Sequence, residues 1–271
     1  MSYTNEMKEL IEPTKETSNL AELDIQIATA HRYPRDIPKV LEEALTMIRS
    51  NKEIAASCTY SVPRKQDGKT IYITGGSIRL AEIFSQCWGN LHAGTRILPH
   101  NDGKTIVAEA VAWDLEKNIK FITQCTRSIY SYKSKRTYSH DMQVITANAA
   151  ASIALRNAIF RVVPNAYTDR LHKEAVDFAN SGSNREIMLA RVFTYFTRVG
   201  YSEQHVLMFL QRATKADVTR EDITILSGIK NRIDDGQLPA TKSLPLTDAD
   251  FADPSTPKLD QDFFSEETGN K

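Results

Sequence analysis

The run "DMQVITANAAASIALRNAIFRVV", residues 141–163, limits the possible folds more than any other part of this chain. It is rich in Ala, holds neither Gly nor Pro, and is stopped by Pro164, so it reads as one helix about 34 Å long. At 100° per residue, Val144, Ala151, Leu155, Ile159 and Val162 share a face that Ile145, Ile153, Phe160 and Val163 widen. A face that broad must be covered from more than one side. Gln143, Thr146, Asn157 and Arg161 are left as a narrow wet stripe. Within the apolar face Asn148, Ser152 and Arg156 form a row at four-residue spacing. A buried guanidinium needs a carboxylate, carbonyls, a neighbouring subunit or a phosphate, and the sequence leaves that choice open.

The segments before this helix supply the cover. "SCTYSV" and "TIYI" flank Asp67-Gly68, a tight-turn pair, and predict a β-hairpin. "GGSIRLAEIFSQCWGN" predicts a helix capped by Ser77 and ended at Gly89-Asn90. Three strand-like runs follow, 91–98, 105–113 and 119–132, and their short connections predict an antiparallel meander. Before the hairpin, Ile37, Val40, Leu41, Ala44, Leu45 and Ile48 recur at helical spacing. After Pro164 a helix is expected over 166–179, then a linker, then short helices over 185–199, 203–213 and 220–235. The fold class is therefore α+β: an antiparallel hairpin and meander on a long helix, followed by a small helical subdomain. The expected divisions are a poorly ordered acidic lead-in (1–30), an α+β nucleic-acid-binding core (31–180), a helical subdomain (185–236) and an acidic disordered tail (237–271).

Charge is segregated although it sums to zero. Residues 1–30 carry −4 and residues 246–271 carry −5, which leaves +9 on the body between them. Within that body "RSIYSYKSKRTYSH", residues 127–140, has four cations, three Tyr and no acid. Read as an extended strand, it places Tyr130, Tyr132, Arg136 and Tyr138 on one side and Arg127, Ile129, Lys133 and Lys135 on the other. Rings that stack on bases beside cations that meet phosphates suit a single-stranded nucleic acid. Arg79, in the first turn of its helix, opposes the helix dipole and favours an anionic neighbour.

Other chemistry lacks its parts. Cys58, Cys87 and Cys125 are odd in number and set among apolar residues, as core thiols are. The six His never reach metal-ligand spacing, and no nucleophile elbow, phosphate loop or dinucleotide fingerprint is present. No catalytic residue, metal or cofactor is expected. The enzymatic alternative is a metal-dependent nuclease built on Glu109, Asp114 and Glu116, although Glu116 and Lys117 are adjacent and would point to opposite faces of a strand. No apolar run has the length of a membrane span, and the acidic start is unlike a secretory or transit segment, so a cytoplasmic location is expected. The acidic end carries Phe251, Phe263 and Phe264, which suits docking on a basic, grooved partner or competition for the protein's own basic face.

"GGSIRLAE", "CWGN", "VAEAVAWDLE" and "RNAIFRVVP" resemble a motif set of uncharacterised phage and prophage proteins, over residues 70–165. The layout of hairpin, helix, meander and long helix is similar to the core of single-strand annealing proteins of the RecT and Rad52-like superfamily. That resemblance implies subunits assembled in rings or filaments, single-stranded DNA in a basic groove along the sheet and long helix, and no nucleotide hydrolysis. It implies a recombination or replication protein of the host bacterial cytoplasm. Arg79, Arg127, Lys133, Lys135, Arg136 and Arg156 would meet phosphate, and Tyr130, Tyr132 and Tyr138 would stack. The tail resembles those of phage single-strand-binding proteins, which implies a replication or recombination partner for Phe251, Phe263 and Phe264.

Overall fold

The computed structural model describes residues 21–66, 69–98, 102–131, 135–182, 185–240 and 243–244. Helix α1 covers residues 21–32, and α2 (Ile37–Arg49) follows, its N-terminus capped by Asp36 and its first turn holding Pro38. A short helix, α3 (Lys52–Ser57), leads into the hairpin β1 (Thr59–Gln66) and β2 (Lys69–Gly76). The hairpin's register runs from Thr59↔Gly76 to Gln66↔Lys69, which closes it with two residues. Next comes α4 (Ile78–Trp88), with the Ser77 hydroxyl accepting from the Arg79 and Leu80 amides and with Gly89 and Asn90 both at positive φ beyond its end.

Strands β3 (Leu91–Leu98), β4 (Thr105–Asp114) and β5 (Ile119–Ser128) form an antiparallel sheet with β4 central. A two-residue ribbon, β6 (Tyr130–Ser131) with β7 (Arg136–Thr137), stands between this sheet and the long helix α5 (His140–Val162). The chain continues through α6 (Asn165–Asn180), α7 (Arg185–Arg198), α8 (Glu203–Leu210) and α9 (Arg220–Asp234), the last opened by a reciprocal cap between Thr219 and Asp222. The fold is α+β, with small antiparallel sheets packed on helices.

Alanines set the distance between α5 and the sheet. Ala150, Ala154 and Ala158 of α5 are buried in one cluster with Ala108, Ala110 and Ala112 of β4, so helix and sheet approach closely. The Thr123 hydroxyl, also buried, donates to the Ala154 carbonyl at 2.7 Å. Ile159, Val162 and Val163 are buried as expected, but the first turns of α5 differ from the expected face. Val144 and Ile145 are each 46% exposed, whereas Thr146, expected in the wet stripe, is buried. Small residues make the closer contact, and Thr146 tolerates burial because its hydroxyl donates to the Met142 carbonyl at 2.7 Å.

A second cluster joins Leu189, Phe193, Phe196, Val206, Phe209, Ile223, Leu226 and Ile229 from α7, α8 and α9. It is not detached from the first, because α9 lies directly against β1. An added Cβ at Gly228 would sit 2.6 Å from the Ser61 backbone nitrogen, so only glycine permits that approach.

One helix is formed within the described part of the lead-in, and past α9 order extends further than the sequence suggests. Within the lead-in, Ala30 of α1 is fully buried, and the Asn90 amide donates to its carbonyl at 3.5 Å. Past α9, Gln237, Ser243 and Leu244 are buried, held by polar contacts that hydropathy does not register. The Tyr201 hydroxyl donates to the Ala240 carbonyl and accepts from the amides of Ser243 and Leu244, while the His205 ring meets the Leu244 carbonyl at 2.8 Å. Residues 1–20 and 245–271 lie outside the described residues, as do Phe251, Phe263 and Phe264. Among the described residues no helix is long and apolar enough to cross a membrane.

Candidate nucleic-acid interface

Two guanidiniums along α5 and β5, those of Arg156 and Arg127, have neutral hydrogen-bond acceptors. Arg156 projects from α5 over the ring of Tyr60 on β1, with Cζ 4.4 Å from the centroid. Tyr60 in turn lies flat against Gly75, its cross-strand partner, where an added Cβ would come within 2.8 Å of the ring. The Arg156 Nε and Nη2 donate to the Asn157 side-chain oxygen at 3.2 and 3.0 Å. No carboxylate among the described residues pairs with it. Burial therefore pushes its pKa down from the ordinary arginine range, opposed only by Tyr60 and Cys125.

Arg127 belongs to β5. Its Nη2 donates to the Gln237 carbonyl at 3.1 Å, again a neutral acceptor. Cys125, two residues earlier on the same face of β5, feels both Arg127 and Arg156, although burial still raises its thiol pKa. Along α5 the row Asn148, Ser152 and Arg156 keeps Asn148 exposed and Ser152 half-buried, and Ile145, one turn before Asn148–Ala149, touches the Gly236 turn.

The basic, tyrosine-bearing segment does not continue as one extended strand. Ile129 is buried and its amide bonds the Lys104 carbonyl at 2.8 Å, after which the chain doubles back through β6 and β7. In that ribbon Tyr130 faces Thr137 and Ser131 faces Arg136, so Tyr130 and Arg136 lie on opposite sides of the ladder, against the expected alternation. Lys135, at positive φ, and Arg136 are exposed. Tyr130 is half-buried with the Lys104 ammonium 5.3 Å from its ring centroid, and Tyr138 is half-buried with its amide bonded to the Ile129 carbonyl at 2.7 Å. Tyr132 and Lys133 lie outside the described residues.

Arg79 stands apart from this group. Its guanidinium pairs with Glu82 at 3.0 Å and Asp235 at 3.1 Å, so its neighbouring anions belong to the protein itself. The three carboxylates of the nuclease alternative do not converge either. Glu109 lies on the open face of the sheet with Arg96 and Gln124, whereas Asp114 points inward. Among the described residues no three His, Cys, Asp or Glu side chains group as metal ligands.

Sequence reasoning missed the use of Asp114 altogether. Arg35, just after α1, forms a bidentate pair with Asp114, lies 4.6 Å over the Trp88 ring and approaches Glu116 at 3.6 Å. The Arg35 and Asp114 side chains are each 4% exposed. Burial alone would raise the Asp114 pKa, but Arg35, the Lys117 amide and the Trp88 indole together hold it below the usual carboxylate range. The "AWDLE" segment is thus a clamp between the N-terminal helices and the β4–β5 turn. Comparison with known protein families, curated proteins and solved structures found no match for this chain.

Proposed function

We propose that the protein binds single-stranded DNA and promotes annealing of complementary strands without hydrolysing a nucleotide, as a phage-type recombination or replication protein. The observation that carries this reading is Arg156, a half-buried guanidinium stacked on Tyr60, which like Arg127 has only neutral acceptors. A half-buried cation without a carboxylate loses part of its hydration with no opposite charge to offset it, and a phosphate oxygen would supply that charge. Exposed Lys135 and Arg136 on the adjoining ribbon extend the positive surface, and Tyr130 and Tyr138 offer partly open rings for stacking.

Such a protein would hold phosphates and leave base edges free, which lowers the entropic cost of pairing with no bond broken. Fluorescence anisotropy with single-stranded oligonucleotides at several salt concentrations tests binding, and a complementary-strand pairing assay tests annealing. Affinity that falls with salt, together with faster pairing, is expected. Absence of binding at low salt, or shortening of labelled strands in Mg²⁺ or Mn²⁺, would overturn the reading.

A further inference from the structure

We infer that one face of the β1–β2 hairpin is the platform that selects unpaired bases, an inference that rests on Arg156 being a phosphate contact. The register pairs Tyr60 with Gly75, Val62 with Ile73 and Arg64 with Ile71, so alternation puts these six residues on one face. The opposite face is fastened to the C-terminal helices. Ser61 is buried where Gly228 of α9 approaches it, and the Tyr72 hydroxyl donates to the Phe209 carbonyl at 3.0 Å, the two rings standing 5.3 Å apart. The hairpin is thereby held with its Tyr60 face turned away from α9. Arg156 covers the root of that face. Beyond the root the face opens: Ile71 and Ile73 are 37% and 38% exposed, Val62 is half-buried and Arg64 is exposed.

Chemistry then selects the occupant. Tyr60 and Arg64 are four residues apart, about 13 Å along the strand, so an aliphatic strip has a guanidinium at each end. No carboxylate among the described residues pairs with Arg64 or Arg156, and none of the six residues on the face is acidic. A single strand of nucleic acid offers both halves of the match, phosphates for the guanidiniums and base faces for the strip. The Tyr60 ring is itself closed off between Arg156 and Gly75, so bases would lie on Val62, Ile71 and Ile73. In a duplex those base faces are stacked on one another, and freeing them costs energy that the strip would have to supply. A purely apolar partner would leave Arg64 and Arg156 without a counter-charge.

The test compares the full-length protein with its double variant Ile71→Thr, Ile73→Thr, which keeps β-branching and so spares the strand. Anisotropy should show single-stranded oligonucleotide affinity falling about ten-fold, while affinity for a duplex of the same length stays within about two-fold. Arg64→Gln, at the exposed end of the face, should weaken single-strand binding and lower its salt slope by about one phosphate. Thermal unfolding and size-exclusion chromatography of each variant separate these effects from misfolding and self-association. Unchanged single-strand affinity in a double variant that unfolds like wild type would overturn the inference. So would equal losses for single strand and duplex, a change in oligomeric state alone, or an unchanged salt slope in Arg64→Gln, each leaving the Arg156 contact to be judged by Arg156→Met. If the wild-type protein binds no oligonucleotide, the reading beneath the inference falls with it.

Discussion

Arg156 and Tyr60 are stacked, guanidinium over ring at 4.4 Å, and no carboxylate among the described residues joins them. This pair separates stability from binding. Arg156→Met keeps the volume and removes a half-buried charge, so thermal unfolding should be unchanged or shifted upward. Oligonucleotide affinity should fall roughly five- to ten-fold, with the slope of log K against log salt reduced by about one phosphate. A loss of stability that parallels the loss of binding would assign Arg156 a purely structural role.

Gly75→Ala tests the ring beneath that guanidinium. The new methyl would press within 2.8 Å of Tyr60, so the ring must tilt and carry Arg156 with it. Weaker DNA binding with a modest stability loss, about 1–2 kcal/mol, is expected from denaturant titration combined with anisotropy.

Gly228→Ala addresses a different contact. Its Cβ would meet the β1 backbone at Ser61, which has no side-chain freedom to yield. Separation of α9 from β1 should lower stability by about 1–3 kcal/mol, measured by urea unfolding.

The Arg35–Asp114 clamp makes stability sensitive to acid. Asp114 has a depressed pKa in the folded state, so its contribution is fully present above the unfolded value of about 3.9 and is lost as pH falls through the lower folded value. Asp114→Asn should destabilise by about 3–5 kcal/mol at neutral pH and flatten the acid limb of the stability curve. Retention of wild-type stability and acid sensitivity would count against the clamp.

Surface cations should divide into two groups. Lys135→Ala with Arg136→Ala removes two exposed charges and should lower the salt slope by about two. Arg79→Ala should leave DNA affinity unchanged, since Glu82 and Asp235 already neutralise it. Salt titrations of both variants separate these outcomes.

Much of the fold was legible because its determinants are local. The length of α5, its stop at Pro164, the caps at Ser77 and Thr219 and the breaks at Gly89 and Asn90 depend on residues within one or two turns of each other. The hairpin and meander were legible for the same reason, since short connections leave antiparallel pairing as the nearest solution. The candidate site was legible only in part. Arg127, Arg136 and Arg156 stood out by type, but their surroundings did not.

Residue order by itself thus determined which elements form, where they end and that a basic body lies between acidic ends. Tertiary structure alone decided that Val144 and Ile145 stay outside the packed side of α5, that Arg79 finds Asp235 across 156 positions, that Asp114 holds Arg35, and that Arg156 settles on a tyrosine instead of an acid. Caps and periodicity act over one to four residues, whereas the partner of a long charged side chain depends on how distant segments happen to meet.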